Sequence, residues 1–249
     1  MTKFSKQYLD KTIELLARIR DEEQGALDEA AKIIADAVEQ GHCIFAFGCT
    51  HSSLPIQDIV YRAGGLMLVN PIFGPGIAAL DVQPSTISSA MERLPGLAQV
   101  ILDNSPAKAG DVLILVSVSG RNAVPVELAA SAKERGMRVV GVTSREYSGA
   151  VTSRHPSGKK MHDYADVVLD NKAPKGDAVL EDKGVPQKFT PVSGVTSIAV
   201  LQALIAATIQ ELLARGFTPP VFLAANVDGG GDYNARMLEK YRDRIFYLG

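Results

Sequence analysis

Two loops rich in hydroxyl side chains each follow an apolar run of the sequence. Residues 48–53, Gly-Cys-Thr-His-Ser-Ser, come after the run 43–47, and residues 117–122, Ser-Val-Ser-Gly-Arg-Asn, come after the run 112–116. If the runs are strands and helices follow the loops, the hydroxyl and N–H groups lie at helix N-termini, where the helix dipole favours an anion. The loops therefore predict a phosphate site. Local donors must supply its attraction, because the formal net charge is only −2.

The second loop has the more specific spacing. Its pattern Ser117-x-Ser119-Gly120-x-Asn122 precedes a predicted helix and a further predicted strand. In this it resembles the phosphosugar isomerase (SIS) domain family, whose signature is a strand, Ser-x-Ser-Gly-x-Thr, a Glu…Ala…Ala-Lys…Gly helix and a strand ending in Thr. The one departure is Asn122 in place of Thr, and its amide can still donate to phosphate. The remaining matches are Glu127, Ala129, Ala132, Lys133, Gly136 and Thr143.

The first loop is less specific by itself. It lacks the spaced glycines of a dinucleotide fingerprint, the chain has no P-loop Gly-Lys-Ser, and Ser52 could serve only as a helix N-cap. The resemblance aligns this loop with the family's Gly-x-Gly-x-Ser segment, in which Gly48 and Ser52 match and Thr50 departs. It runs from about residue 26 to residue 215 and implies no cofactor. The phosphate-binding residues that it implies are Thr50, Ser52, Ser117, Ser119, Gly120, Asn122 and Ser193.

The chain is especially similar to a single-domain branch of that family. The segments that carry this similarity are Arg62-Ala63-Gly64-Gly65, Glu92-Arg93, Ser153-Arg154-His155-Pro156-Ser157-Gly158-Lys159 and Asp228-Gly229-Gly230. They indicate a branch and localise function poorly, because a shared fold does not by itself define a reaction.

The resemblance implies chemistry at C2 of an open-chain sugar phosphate, of the class hexosamine or N-acetylhexosamine 6-phosphate. A base removes the C2 proton. Either a proton then returns to C1, which gives isomerisation, or water is eliminated across C2 and C3. The candidate acid–base residues are Glu92, His155 and His51. Two alternatives stay open: Glu92 could be a cap-box acid at a helix N-terminus, and His51 could pack within its loop. For Glu127, a dipole partner in the first turn of its helix is the preferred interpretation.

A second class of function is a phosphosugar sensor without catalysis, since the fold also serves as the ligand domain of transcription regulators. The predicted core accounts for nearly the whole chain, which argues against a regulator with a DNA-binding extension, and the charge balance argues against nucleic acid as a partner. No metal is expected, because the sequence has neither His-x-x-x-His nor Cys-x-x-Cys. His51 beside Cys49 is the one weak hint of a metal site.

The elements needed to position these residues follow from the hydrophobic pattern. Two amphipathic helices precede short branched apolar runs at 43–47, 66–69, 112–116, 139–143 and 167–169, with helical patterns between them, and a long helix spans 193–215. This alternation predicts an α/β fold, namely a three-layer, doubly wound parallel sheet of flavodoxin-like type with N-terminal helices. We expect one domain over residues 1–249, with a core at about 26–215.

Composition predicts a soluble cytoplasmic protein. Apolar residues make up 46% and charged residues 22%, the two cysteines are too few for a disulfide framework, and the N-terminus lacks a signal-peptide pattern. The longest apolar stretch, 198–213, is interrupted by Gln and Glu and is expected to be too short and too polar to cross a membrane. Two long polar segments, 70–89 and 171–192, read as loops that serve a site or a partner. With the resemblance, they predict a homodimer or larger assembly that binds a sugar phosphate.

Overall fold

The computed structural model describes residues 3–248, and its centre is a five-stranded parallel sheet. The strands are β1 (Ile44–Gly48), β2 (Val69–Pro71), β3 (Val112–Val116), β4 (Arg138–Thr143) and β5 (Val167–Asp170). Their order across the sheet is β2-β1-β3-β4-β5, and every neighbouring pair is parallel. This is the flavodoxin-like order, so the predicted fold class is confirmed.

Helices cover both faces of the sheet. They are α1 (Phe4–Glu22), α2 (Gln24–Glu39), α3 (Ser53–Ile59), α4 (Thr86–Met91), α5 (Leu97–Asp103), α6 (Ala123–Glu134), α7 (Arg145–Gly149), α8 (Ser193–Ala214) and α9 (Gly230–Lys240). Because strand side chains alternate between faces, Ile44 and Ile114 pack with α2 and α8 in one core, while Phe45 and Leu113 pack with α5 and α6 in the other. The result is three layers.

Helix α8 matches the long helix predicted over residues 193–215. The helix has 22 residues and, by length and composition alone, is long and apolar enough to cross a membrane. In the structure it lies against α2 and α3 on one face of the sheet, where Val200, Leu201 and Leu204 are fully buried. The apolar side chains of α8 are therefore buried in the core between the helices and the sheet.

The segment predicted as a loop at 171–192 contains a β-hairpin. Strand β6 (Ala178–Asp182) pairs antiparallel with β7 (Val185–Pro191). The hairpin packs on α1, where Phe4 and Phe189 meet edge to face with ring centroids 5.2 Å apart. Most of its side chains are exposed on both faces, so the sequence carries no alternation that would reveal the strands. The other predicted loop, 70–89, ends in helix α4.

The outer edge of the sheet is closed by the C-terminal part of the chain. Asn70 on β2 donates through Nδ2 to the carbonyl of Arg244 at 2.9 Å and accepts from the N–H of Phe246 at 2.7 Å. Just before β2, residues 64–67 exchange backbone hydrogen bonds with residues 220–222. The predicted strand at 66–69 is therefore shifted, with only Val69–Pro71 pairing to β1.

A buried ionic cluster joins the junction of α1 and α2 to the end of β5. The ammonium of Lys172 contacts the carboxylates of Glu22, Glu23 and Asp170, and Glu23 also accepts from the backbone N–H of Asp170 at 3.0 Å. Lys172 and Glu23 are only 7% and 6% exposed. Charges this deeply buried are tolerated because each one has several partners.

Candidate functional site

A cavity of about 550 Å³ lies at the carboxyl ends of β1 and β3. The strand order reverses between these two strands, and this is where open parallel sheets bind ligands. The walls come from both polar loops, from the start of α3, from the C-terminal end of α4, from α7, from the base of the β6–β7 hairpin and from the start of α8. The polar lining residues are Thr50, His51, Ser52, Glu92, Ser117, Ser119, Asn122, Tyr147, Asp177, Ser193 and Ser197.

Most of the residues singled out from the sequence meet in this one cavity. His51 and Glu92 line it, together with the hydroxyl residues of both loops and Ser193 at the start of α8. His155 and Gly120 lie outside the lining. The two predicted loops therefore meet at one cavity, while two of the predicted residues lie outside its lining.

The first loop turns sharply because Gly48 has no side chain. A Cβ at Gly48 would lie 2.1 Å from the carbonyl oxygen of Ser52, which excludes any larger residue without a rearrangement of the turn. Thr50 adopts a φ of +48°, and its N–H donates to the carbonyl of Ile77 at 2.7 Å. A β-branched residue rarely adopts this backbone conformation, which glycine adopts freely.

Ser52 stands at the N-cap position of α3, but its side chain makes no capping hydrogen bond. The neighbouring Ser53 makes the hydrogen bonds that hold this loop. Its hydroxyl donates to the carbonyl of Thr50 at 2.7 Å and accepts from the N–H of Ala79 at 3.0 Å. The interpretation of Ser52 as merely a helix cap is therefore wrong. Within residues 3–248 the Ser52 hydroxyl has no hydrogen-bond partner, so it is available to a ligand.

The second loop continues β3 and then starts α6. Ser117 donates its N–H to Val142 at 3.0 Å, and Gly120, at a φ of +62°, accepts from the N–H of Met161 at 2.9 Å. These bonds hold the loop, and they give Gly120 a backbone role. The hydroxyls of Ser117 and Ser119 bond to no other residue in the described part of the chain, while both residues line the cavity.

Glu92 lies at the C-terminal end of α4, at its C-cap, so the interpretation as an N-terminal cap-box acid is wrong. Its carbonyl accepts from the N–H of Val124 in the first turn of α6 at 3.1 Å. Burial raises the pKa of the Glu92 carboxyl, and the Asn122 side chain and the charges of Arg93 and Arg154 only partly oppose this. A carboxyl with a raised pKa in a cavity is a candidate acid or base.

Cys49 lies close to Glu92. Burial, with a smaller contribution from the Glu92 charge, raises the pKa of the Cys49 thiol well above its ordinary value. Cys49 is 2% exposed and does not line the cavity, so it is a buried, protonated packing residue.

His155 is held by other residues. Its Nε2 lies 3.3 Å from Oε1 of Glu127, and its Nδ1 lies 2.7 Å from the Ser157 hydroxyl. Glu127 in turn accepts from the N–H of Gly96 at 2.8 Å through its other oxygen. Glu127 lies beyond the first turn of α6, so its predicted role as a first-turn dipole partner is wrong; it anchors two loops instead.

Sequence reasoning missed Asp177, Tyr147 and Ser197, which also line the cavity. Asp177 caps α8 from 16 residues upstream: it accepts from the Ser193 N–H and from the Ser193 hydroxyl, each at 2.7 Å. The Ser193 hydroxyl is thus already engaged. No local pattern reveals a cap so distant in sequence, whereas Tyr147 could have been found as a polar residue just after β4.

No group of three His, Cys, Asp or Glu side chains in residues 3–248 is arranged to hold a metal ion. The ionisable lining groups are instead the carboxyl groups of Glu92 and Asp177 and the imidazole of His51. The cavity therefore combines neutral hydroxyl groups with an ionisable carboxyl, that of Glu92, beside Asn122.

Solved structures with a similar fold include two phosphoheptose isomerases. The enzyme from Neisseria gonorrhoeae superposes with a TM-score of 0.55 over 83% of this chain and 97% of its own, at 20% identity. That from Francisella tularensis gives a TM-score of 0.54 over 84% of this chain and 100% of its own, at 16% identity. At such identities the likeness shows a shared fold.

Sequence relatives match nearly the whole chain. A UPF0309 protein of Streptomyces griseus is 49% identical over 246 residues, which is 99% of this chain and 98% of the relative. One of Streptomyces coelicolor is 50% identical over 241 residues, covering 97% and 96%. Residues 7–144 match the family model described as the SIS domain, and this stretch includes both polar loops and strands β1 to β4. The chain that builds this cavity therefore belongs to the SIS domain family.

Proposed function

We propose that the protein is an enzyme that removes the C2 proton from an open-chain hexosamine or N-acetylhexosamine 6-phosphate. The observation that carries the proposal is the shared cavity. The carboxyl of Glu92, with its raised pKa, lines the same 550 Å³ space as the free hydroxyls of Ser52, Ser117 and Ser119. Membership of the SIS family and a fold shared with phosphoheptose isomerases support the phosphosugar class.

In this proposal the phosphate lies between the two loops. Ser52, Ser117 and Ser119 donate hydroxyl hydrogens, and α6, a 12-residue helix, directs its N-terminus at the second loop. A dipole and several neutral donors can hold a dianion without a cation in the lining. Asn122 was expected to donate to the phosphate, but its side chain has other partners. Its Oδ1 accepts a hydrogen bond from Arg154, and a hydrogen bond from its side chain lowers the pKa of Glu92.

The proposed base is Glu92. A general base works best when its pKa approaches the working pH, and burial moves the pKa of Glu92 in that direction. His51, which is exposed and lines the cavity, is the proposed acid for ring opening and for protonating the departing or carbonyl oxygen. We do not assign His155 an acid–base role, because its ring is engaged with Glu127 and Ser157.

One proton transfer leads to two products. After Glu92 takes the C2 proton, the electron pair forms a C1–C2 double bond and the C1 oxygen takes a proton from the acid, which gives an enol with nitrogen on C2. Return of a proton to C1, with loss of the proton on nitrogen, gives the 2-imino isomer. Alternatively, the electron pair from C2 forms a C2–C3 double bond while the C3 oxygen leaves as water, taking a proton from the acid.

The test is incubation with a panel of sugar 6-phosphates in deuterated water, comparing the wild type with Glu92→Gln. Deuterium at C1 or C2 supports isomerisation, and an unsaturated product supports elimination. Glu92→Gln should lower turnover by about 10²–10⁴-fold while phosphate affinity stays near wild type. If the wild type binds a sugar phosphate without turnover, the protein is a phosphosugar sensor and not an enzyme. If Glu92→Gln keeps full turnover, Glu92 is not the base.

We further propose a cytoplasmic homodimer or larger assembly. Large apolar side chains are exposed beside the cavity and on α1: Leu54, Val195, Leu9 and Ile13, the last 63% exposed. Leu9 and Ile13 are one helical turn apart and share a face, as in a helix that packs on a partner. Sedimentation velocity at micromolar concentration should give a mass at least twice 26.6 kDa. A fully active 26.6 kDa monomer would contradict the proposal.

A further inference from the structure

The side of α8 that faces away from the sheet is apolar and exposed. The sequence of α8 contains one charged residue, Glu211, and its carboxylate pairs with Arg215 at 2.9 Å. In the 18-residue stretch that makes this helix long and apolar enough to cross a membrane, only 39% is buried inside the chain. A helix that is hydrophobic all round is normally buried on all sides. The outward side of α8 therefore requires a cover that residues 3–248 do not supply.

The residues along this outward side recur at alternating spacings of four and three. Such spacing places them in one line along a helix, as the a and d positions of a coiled coil are placed. Three of them, Val195, Ala206 and Leu213, are exposed, Leu213 by 57%. The one polar member, Gln202, donates its amide to Oδ2 of Asp58 at 2.9 Å and so has a partner in its own chain. We name this line the α8 seam: Val195, Ala199, Gln202, Ala206, Ile209 and Leu213.

The α8 seam is complementary to itself when a second copy runs antiparallel. Its midpoint is residue 204, so a two-fold axis there places the first member opposite the last, the second opposite the fifth and the third opposite the fourth. The three layers are Val195 with Leu213, Ala199 with Ile209, and Gln202 with Ala206. Two of these layers join an alanine to a larger side chain, which lets the helices approach closely without a gap. No layer brings two charges together.

The seam alone is too narrow for a stable dimer, but the neighbouring helices extend it. A span of 18 residues at about 1.5 Å each is about 27 Å long, and a width of about 10 Å gives about 270 Å² per copy. A standard interface takes about 800 Å² from each partner. Leu54 on α3, and Leu9 and Ile13 on α1, are exposed on helices that contact α8. Leu16, on the same side of α1 as Ile13, packs against the core that contains α8, so the two apolar surfaces adjoin.

We infer that α8 is the centre of a two-fold interface between two copies of this chain, with the α8 seams packed antiparallel. The inference rests on the proposed function, because it names the surface that forms the assembly proposed there. Val195 also lines the cavity, and its opposite residue in this arrangement is Leu213 of the second copy. Each cavity therefore opens beside the interface. A membrane surface fits α8 less well, since a helix that lies on lipid carries lysines and arginines and α8 has neither.

Ala206→Lys tests the centre of the seam, because it buries two ammonium groups close to the two-fold axis. Ala206 is exposed in the single chain, so the variant should keep the wild-type circular dichroism spectrum. By sedimentation, its dimer dissociation constant should rise by at least about a hundredfold. Leu213→Lys, a second variant, should act in the same direction. The matched control is Val100→Lys on α5, across the sheet: Val100 is 59% exposed, and the variant should remain dimeric.

Single cysteine variants test the direction of packing. Gln202→Cys and Ala206→Cys, mixed and oxidised, should form a covalent dimer, whereas each variant alone should not, because the antiparallel seam places residue 202 opposite residue 206. Cross-linking of each variant with itself would indicate parallel packing and overturn the inference. The native Cys43 and Cys49 are buried and serve as the background control.

If both lysine variants remain dimeric, the inference is overturned and the proposed assembly stands on another surface. If the wild type is a monomer, free or bound to phosphatidylglycerol vesicles, both the inference and the proposed assembly are overturned. Neither result bears on the phosphosugar chemistry of Glu92, which the deuterium exchange experiment tests separately.

Discussion

Thr50 occupies a backbone conformation that suits glycine, within the loop that lines the cavity. Thr50 aligns with the second glycine of the family's Gly-x-Gly-x-Ser segment. The residue that departs from this segment therefore has a positive φ, which glycine adopts without strain. A strained residue of this kind is retained when the rest of the structure fixes it, and such residues are common at binding sites. The threonine side chain, in place of the hydrogen of glycine, adds one more hydroxyl to a residue that lines the cavity.

Thr50→Gly should raise the melting temperature and weaken sugar-phosphate binding. Relief of the strain is worth about 1–3 kcal/mol, against about 0.5–1 kcal/mol for the extra freedom of glycine in the unfolded chain. Thr50→Val is the control, because it keeps the strain and removes only the hydroxyl; it should lose affinity without gaining stability. Thermal unfolding and calorimetry measure both. A less stable glycine variant would show that Thr50 is not strained.

Glu92→Gln should stabilise the protein at neutral pH. Because burial raises the pKa of Glu92, the folded state holds this proton to higher pH than the unfolded state, and wild-type stability falls as pH rises through that interval. Glutamine carries no charge and escapes this loss. The melting temperatures of the two proteins should therefore converge near about pH 4 and separate by about pH 8. A variant that is less stable at the higher pH would indicate a structural role instead.

At the scale of elements, the sequence revealed the parallel strands and the long helices, and it missed the parts that close the cavity. β1 and β3 are buried on both faces, so they appear as continuous apolar runs. In the β6–β7 hairpin Leu180 alone is buried, so its strands show no such pattern. Helix α4 has six residues, too few for helical periodicity, which is why the placement of Glu92 at its end was not predicted.

Asp177 connects two of these elements, the hairpin and α8. Asp177→Ala should destabilise the protein by about 0.5–2 kcal/mol, because it leaves the first N–H groups of α8 without their acceptor. Asp177→Asn retains an acceptor oxygen and should cost less. Urea unfolding gives the free energies, and hydrogen exchange at Val192 and Ser193 gives the local effect. Equal stability of the alanine variant and the wild type would rule out this capping role.

For the whole molecule, the order of the strands determines where the two polar loops converge, and the sequence pattern of strands and helices predicts that order. The ionic cluster around Lys172 cannot be predicted in this way, because its acids come from the α1–α2 junction and from β5, which are far apart in sequence. It fastens the N-terminal helices to the sheet beside the hairpin that closes the cavity.

Lys172→Met should lower the free energy of unfolding by about 3–5 kcal/mol, because removal of one partner leaves buried carboxylates without compensation. Lys6→Met is the control: it breaks an exposed pair with Asp10, one turn along α1, which contributes about 0.3–0.5 kcal/mol. Urea denaturation of both variants measures the contrast. Similar small effects would mean that methionine packs well enough to replace the buried charge.

The closure of the sheet by the C-terminal part of the chain has a consequence for self-recognition. Strand β2 is only three residues long, and the side chain of its central residue, Asn70, hydrogen-bonds the carbonyl of Arg244 and the N–H of Phe246. An uncovered edge strand offers its backbone groups to any other extended chain and so templates aggregation. Residues 244–246 cover β2, and residues 220–222 pair with the segment just before it, so this side of the sheet is closed to strand pairing with another chain.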